Sequence, residues 1–112
     1  MQGTYLVGYI ETNDEKILKS VNTIKDAVLR VCKTIELNIV GEKYHMFKGS
    51  NGITYCFILS QSHFVVHTWP EYNKIFFDIF TCNKKLNEEQ CVYTLSKEFK
   101  GKVKEISKIE YK

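Results

Sequence analysis

The sequence predicts an α+β fold, a two-layer sandwich of a mostly antiparallel sheet with helices on one face. Three observations lead there: about six strand-like runs, one helix-like run in each half of the chain, and intervals between strands short enough for hairpins. Only one proline occurs, Pro70, and no Gly/Ser-rich linker, repeat or low-complexity tract divides the chain. Residues 1–112 are therefore expected to form one domain, a size at which a chain buries about two thirds of its unfolded surface.

Taken in order, residues 4–11 read as the first strand. Ile17, Val21, Ile24, Val28 and Val31 then recur at three- and four-residue spacing, the period of one helix face, and Asn13 or Asp14 can cap that helix. Residues 35–47 read as extended, Lys48-Gly49-Ser50-Asn51-Gly52 as a turn, and residues 53–59 as a strand. After Ser60-Gln61-Ser62 come a strand at 64–68, a break at Trp69-Pro70-Glu71, and a strand at 74–81 with Ile75, Phe77, Ile79 and Thr81 on one face. Asn87 can cap a second helix running to Phe99, with Val92, Leu95 and Phe99 as its apolar stripe, and residues 103–109 close the sheet. Helices on one face leave the other face needing cover. The sheet aromatics Tyr55, Phe57, Phe64, Phe76, Phe77 and Phe80 suggest that two sheets pair into a four-layer α/β/β/α homodimer.

Composition narrows the function. Hydrophobic residues at 44% and charged residues at 26% are the balance of a globular protein. The net charge of +3 comes from 16 basic and 13 acidic residues spread along the chain, without the concentrated basic stripe a nucleic-acid partner requires. The densest run, Lys97, Lys100, Lys102, Lys104 and Lys108, is interleaved with Glu98, Glu105 and Glu110 and reads as a solvated surface. No stretch has the ~18 apolar residues of a membrane span, and no basic-then-apolar leader opens the chain, so a cytoplasmic location is expected. Cys32, Cys56, Cys82 and Cys91 form no CxxC pair and no zinc-ligand spacing. No metal site is expected, and reduced thiols are the default.

The unusual segment is residues 60–82, which holds a serine pair, two histidines, the Trp-Pro-Glu break and a cysteine within about two strands. On the first of these strands His63, Val65 and His67 share one face, while Ser62, Phe64, Val66 and Thr68 share the other. Ser62 and His67 therefore need curvature of the fold or a partner strand in order to meet.

These residues resemble the prokaryotic S-adenosylmethionine decarboxylases, small pyruvoyl enzymes of polyamine synthesis. That family's core reads Glu-Ser-His, His-Thr-Trp-Pro-Glu-Tyr and Phe-Thr-Cys. Here the matching segments are Gln61-Ser62-His63, His67 to Tyr72 unchanged, and Phe80-Thr81-Cys82. Tyr44-His45-Met46-Phe47 resembles the family's Phe-His-x-Phe, and Gly52-Ile53-Thr54 its Gly-Val-Ser, with one extra residue in the turn between them. The chain departs from the pattern at Gln61, where the family has glutamate, at Thr54, where it has serine, and at Tyr5, where it has histidine.

The resemblance implies a proenzyme that cleaves itself between residues 61 and 62. The Ser62 hydroxyl would attack the Gln61 carbonyl, and elimination of the resulting ester would leave a pyruvoyl group, the only cofactor implied. By resemblance His67 is the base and Thr54 the processing hydroxyl. The ketone would take the amine of S-adenosylmethionine as a Schiff base, and Cys82, whose thiol is a proton donor, would return the proton after decarboxylation. Glu71 matches a residue that binds the ribose hydroxyls, and Phe47 a ring that stacks on adenine and favours a sulfonium cation. Two alternatives stay open: the same machinery acting on ornithine or arginine, and an uncleaved homologue without enzyme activity. His63 carries no role from the motif.

Overall fold

A computed structural model describes residues 2–83 and 86–112. The elements follow as β1 (Gly3–Glu11), α1 (Glu15–Lys19), α2 (Val21–Thr34), β2 (Ile39–Met46), β3 (Ile53–Leu59), β4 (Ser62–Trp69), a single 3₁₀ turn (Pro70–Tyr72), β5 (Lys74–Thr81), α3 (Glu88–Glu98) and β6 (Lys102–Tyr111). The six strands form one sheet in the order β2-β3-β4-β5-β1-β6, antiparallel throughout. The predicted α+β architecture is the one observed.

Alternation along each strand decides what the sheet buries. Leu6 and Ile10, then Ile53, Tyr55, Phe57 and Leu59, then Phe64 and Val66, then Ile75, Phe77 and Ile79 all pack beneath Ile24, Val28, Val31, Cys91, Leu95 and Phe99 of the helices. Burial at a few tens of cal/mol per Å² makes this layer the main stabilising term. Of the aromatics expected to drive sheet pairing, Tyr55, Phe57, Phe64 and Phe77 are spent on this core. Phe76 and Phe80 face the other way, with Tyr5, Tyr9, His63, Val65 and Ile58.

Two local expectations are corrected. The first helix is two helices, because Ser20 closes α1 and caps α2 with its hydroxyl, which accepts from the Thr23 N–H at 3.2 Å. A serine that satisfies the backbone itself competes with helix continuation. Asp14, not Asn13, caps α1, and its hydrogen bond from the Ile17 N–H holds the carboxyl below its ordinary pKa. Residues 35–38 are not extended: Glu36 turns left-handed at φ 59° and the Leu37 N–H reaches back to the Cys32 carbonyl, a Schellman-type exit that delays β2 to Ile39. At α3 the expected Asn87 cap is present, but Cys91 and Thr94 join Leu95 and Phe99 in the core while Val92 is only half-buried.

Gly52 has a geometric reason. A Cβ there would stand 2.8 Å from the Thr68 carbonyl oxygen, so only glycine lets the β2–β3 loop lie against the end of β4. That close approach builds one wall of the site described next.

Candidate active site

The predicted site residues fall into two groups at opposite ends of β4. At its start the chain makes a two-residue hairpin, with Leu59 paired to Ser62 and Gln61 at φ 60°. A non-glycine residue in the left-handed region is uncommon and costs about 1–2 kcal/mol. Cys82, one residue beyond β5, reaches both sides of the Gln61–Ser62 peptide. Its N–H donates to Ser62 Oγ at 3.4 Å and its Sγ donates to the Gln61 carbonyl oxygen at 3.6 Å. A hollow of about 180 Å³ opens beside Cys82, lined by Gly3, Thr4, Thr81 and Tyr111 among others.

At the far end of β4, register places Thr54 opposite His67, and their side chains join through Thr54 Oγ1 and His67 Nδ1 at 2.9 Å. The fixed loop at Gly52 and the break after Trp69 bring Phe47 and Glu71 around this pair. Together with Ser50 and Trp69 they line a cleft of about 450 Å³. Glu71 is exposed and, among the described residues, has no ion-pair partner. Phe47 is half exposed, its ring edge-on to His45 at 4.8 Å between centroids. A carboxylate and an open aromatic face on one cleft suit a ligand with vicinal hydroxyls and a planar ring.

Five residues of extended chain separate Ser62 from His67, roughly 16 Å at ~3.3 Å per residue. They also point to opposite faces of the sheet, so their side chains do not share one site within the protomer. Thus Gln61, Ser62 and Cys82 meet, and Thr54, His67, Phe47 and Glu71 meet, but the two sets do not meet each other.

The structure adds residues that the motifs did not single out. Thr68 is buried, donating to the Leu18 carbonyl at 2.7 Å and accepting from the Ile53 N–H at 2.9 Å, so it ties β4 to β3 and α1 behind the cleft. His63 Nε2 lies 2.7 Å from Asp78 Oδ1 and 3.2 Å from the Tyr5 hydroxyl. The pairing was legible in principle, since β4 and β5 are both evident from sequence and one register brings His63 and Asp78 to the same face. Burial removes Cys32 and Cys91 from any chemistry, pushing both thiols up to about 12. Among the described residues no three His, Cys, Asp or Glu side chains gather as metal ligands, and no helix is long and apolar enough to cross a membrane.

The sequence model of the S-adenosylmethionine decarboxylase family matches residues 5–111. A protein of Thermodesulfovibrio yellowstonii named S-adenosylmethionine decarboxylase proenzyme is 29% identical over 104 residues, 93% of this chain and 76% of that protein. One of the same name from Acidithiobacillus ferrooxidans is 31% identical over 86 residues, 77% of this chain and 64% of its own length, so the match spans less than two thirds of that relative. The crystal structure of the adenosylmethionine decarboxylase of Aquifex aeolicus superposes with a TM-score of 0.77 at 21% identity, covering 97% of this chain and 88% of that one, and shows the same fold.

Proposed function

The chain belongs to the S-adenosylmethionine decarboxylase family, and on that premise we propose that it cuts its own 61–62 peptide bond and then decarboxylates S-adenosylmethionine, supplying the aminopropyl donor for spermidine synthesis. One observation carries this reading: the Cys82 thiol lies 3.6 Å from the Gln61 carbonyl oxygen while the Cys82 N–H holds the Ser62 hydroxyl oxygen. Nucleophile, scissile carbonyl and a donor for the developing oxyanion thus share one corner.

Cleavage begins when Ser62 Oγ attacks the Gln61 carbonyl carbon. The peptide C–N bond breaks, an ester C–O bond forms, and the nitrogen of residue 62 gains a proton. Charge gathering on the Gln61 oxygen meets the Cys82 S–H, a preorganised donor that needs no rearrangement at the moment of reaction. Opening the peptide also releases the left-handed backbone of Gln61, a local strain of the kind that functional sites hold. A base then takes the Ser62 α-proton and the Cβ–Oγ bond breaks, freeing residues 1–61 as a carboxylate. Water displaces the nitrogen of residue 62 as ammonia, and residues 62–112 are left with an N-terminal pyruvoyl group. The residues present fit a group made in place: a serine hydroxyl, a strained peptide and a thiol that remains beside it. When present, the pyruvoyl ketone supplies an electron sink for loss of carbon dioxide.

The base is His67. For Nε2 to hold a free lone pair, Nδ1 must carry the proton and donate to Thr54 Oγ1, the orientation that the 2.9 Å contact permits. Because His67 is ~16 Å along the strand from Ser62 of its own chain, the histidine serving each serine comes from a second copy. The uncovered sheet face, with Tyr5, Tyr9, Ile58, Val65, Phe76 and Phe80, suits such pairing at the ~10 Å spacing of stacked sheets. A two-fold axis lying between the sheets and across the strands sets the His67 end of one β4 over the Ser62 end of the other. Because the Ser62 side chain starts on the helix-covered face, residue 62 turns toward the interface once its peptide has opened. Each composite site then joins Ser62 and Cys82 of one protomer to Thr54, His67, Phe47 and Glu71 of its partner. Glu71 holds the ribose hydroxyls, Phe47 faces the adenine, and Cys82 returns the proton to the carbon that lost carbon dioxide. A reducing cytoplasm suits a mechanism that depends on a free Cys82 thiol.

Intact mass tests the first half: the expected products are chains 1–61 and 62–112, the second lacking a free amine and gaining mass on borohydride reduction. Labelled carbon dioxide release tests the second half, with S-adenosylmethionine as the active substrate. Release from ornithine or arginine instead would overturn the substrate assignment.

A further inference from the structure

Cleavage at 61–62 removes the covalent link of the β3–β4 hairpin at the place where the reacting group must be held still. Before cleavage, residue 62 is fixed by the turn and by its pairing with Leu59. After cleavage it is a chain terminus, and a pyruvoyl group has no backbone N–H to give to that pairing. Strand ends without such ties fray. The first side chain of the new chain able to hold it is therefore His63.

His63 is tied across the sheet and not along it. Its Nε2 lies 2.7 Å from Asp78 Oδ1 on β5 and 3.2 Å from the Tyr5 hydroxyl on β1. The ring also stands edge-on to Tyr5, with centroids 5.5 Å apart at 70°, and leans over Phe80 at 6.1 Å. Asp78 is a pure acceptor when ionised, so Nε2 carries the proton and donates to it. Burial and the Asp78 charge push the Tyr5 hydroxyl above its ordinary pKa, so it stays protonated beside this pair. None of these partners belongs to the segment that cleavage releases from its turn, so the tie survives the cut.

We propose that His63, held by Asp78 and Tyr5, is a positioning residue that anchors the new N-terminus after self-cleavage and keeps the residue-62 carbonyl beside Cys82. The inference rests on the proposed cleavage and concerns the processed form, where the clamp replaces the lost turn. Its signature is an effect present in the cleaved protein and absent from the uncleaved one.

The test measures backbone hydrogen exchange by mass spectrometry on full-length Asp78→Asn and His63→Ala proteins, each made in two backgrounds, self-cleaved and blocked by Ser62→Ala. In the cleaved form, exchange across residues 63–66 is expected to rise about tenfold over the unsubstituted protein, while the blocked form stays within about twofold of its own control. Turnover should follow, kcat falling about 10- to 100-fold with KM unchanged, since a small misplacement of the reacting carbon carries that penalty. His63→Gln, which retains a donor near the Nε2 position, should recover most of both. Equal loosening in the two backgrounds, or none in either, would overturn the clamp. Should the unsubstituted protein itself remain one chain, the proposed function fails first and takes this inference with it.

Discussion

The two ends of β4 are built on different terms. The Ser62 end is strained and short of material: a left-handed Gln61, a two-residue turn, and one cysteine that touches both the hydroxyl and the carbonyl. The His67 end is relaxed and amply supported, with a histidine oriented by Thr54, a buried Thr68 cross-linking strand to helix, and a 450 Å³ cleft. In the proposed mechanism the first supplies the reacting atoms and has only a hollow of about 180 Å³, while the second has the larger space. Strain belongs where a bond must break, and a well-supported concave surface belongs where a ligand must be oriented. If the proposed mechanism holds, the division accounts for a site that needs both ends and for the uncovered face between them.

The sharpest way to break this comparison is to ask whether the ends work within one chain or between two. Ser62→Ala should remain uncleaved and inactive, and His67→Ala should lose cleavage by about 10²- to 10⁴-fold, the usual contribution of a positioned base. Co-expressed, the two variants should form mixed dimers in which one site is intact, and cleavage of the His67→Ala chain should return. Mass spectrometry of the mixture reads this directly, and no recovery would place both ends in the service of the same chain. Next in size is Cys82→Ala. Loss of an oxyanion donor from an amide costs about 10²- to 10³-fold, and a thiol at 3.6 Å is a weaker donor. Cleavage should therefore slow by about 10- to 100-fold, followed by stopped-flow mixing or timed denaturing gels. Unchanged cleavage would leave Cys82 a role only after it.

The fold, the members of both groups and the opposed facing of Ser62 and His67 were legible in sequence, but which residues gather at each end was not. Alternation along residues 53–59 and 74–81 shows which side chains face the core, and the unbroken His67-to-Tyr72 segment and Phe80-Thr81-Cys82 mark the residues worth following. The same alternation already places Ser62 and His67 on opposite faces. What it cannot supply is register and curvature, which are set by long-range pairing. The contact of Cys82 with the Gln61 carbonyl depends on how the end of β5 meets the β3–β4 turn. The break at Ser20 and the left-handed exit at Glu36 were hidden for a different reason: both are side-chain or backbone alternatives that compete with a periodic apolar pattern and leave that pattern intact. His63 was passed over because a strand histidine is ordinary until its neighbour two strands away is known to be Tyr5.

Thr54 sharpens the relaxed end. Its hydroxyl, at 2.9 Å from His67 Nδ1, holds the ring and can accept from an Nδ1–H, which leaves Nε2 free. Thr54→Val keeps the shape and removes the acceptor, and cleavage should slow by about tenfold through misorientation of the ring. Thr54→Ser keeps the hydroxyl with a freer χ1 and should stay within about threefold. A Val variant as fast as the parent would reduce Thr54 to packing.

The smallest effect tests the strained end, at Gln61. Glycine adopts φ 60° without the ~1–2 kcal/mol that glutamine meets there, so Gln61→Gly lowers the energy of the uncleaved chain. If the strain is released as the peptide opens, the variant loses about 1 kcal/mol of that assistance and cleaves about fivefold more slowly. In the Ser62→Ala background, where nothing is cut, the same substitution should raise the thermal midpoint by roughly 2–5 °C, less whatever glycine adds to the freedom of the unfolded chain. The two measurements must move together. A raised midpoint with an unchanged cleavage rate would mean that the left-handed turn costs stability without helping the bond to break. The Ser62 end would then owe its reactivity to Cys82 and to the partner's His67, with no contribution from the backbone.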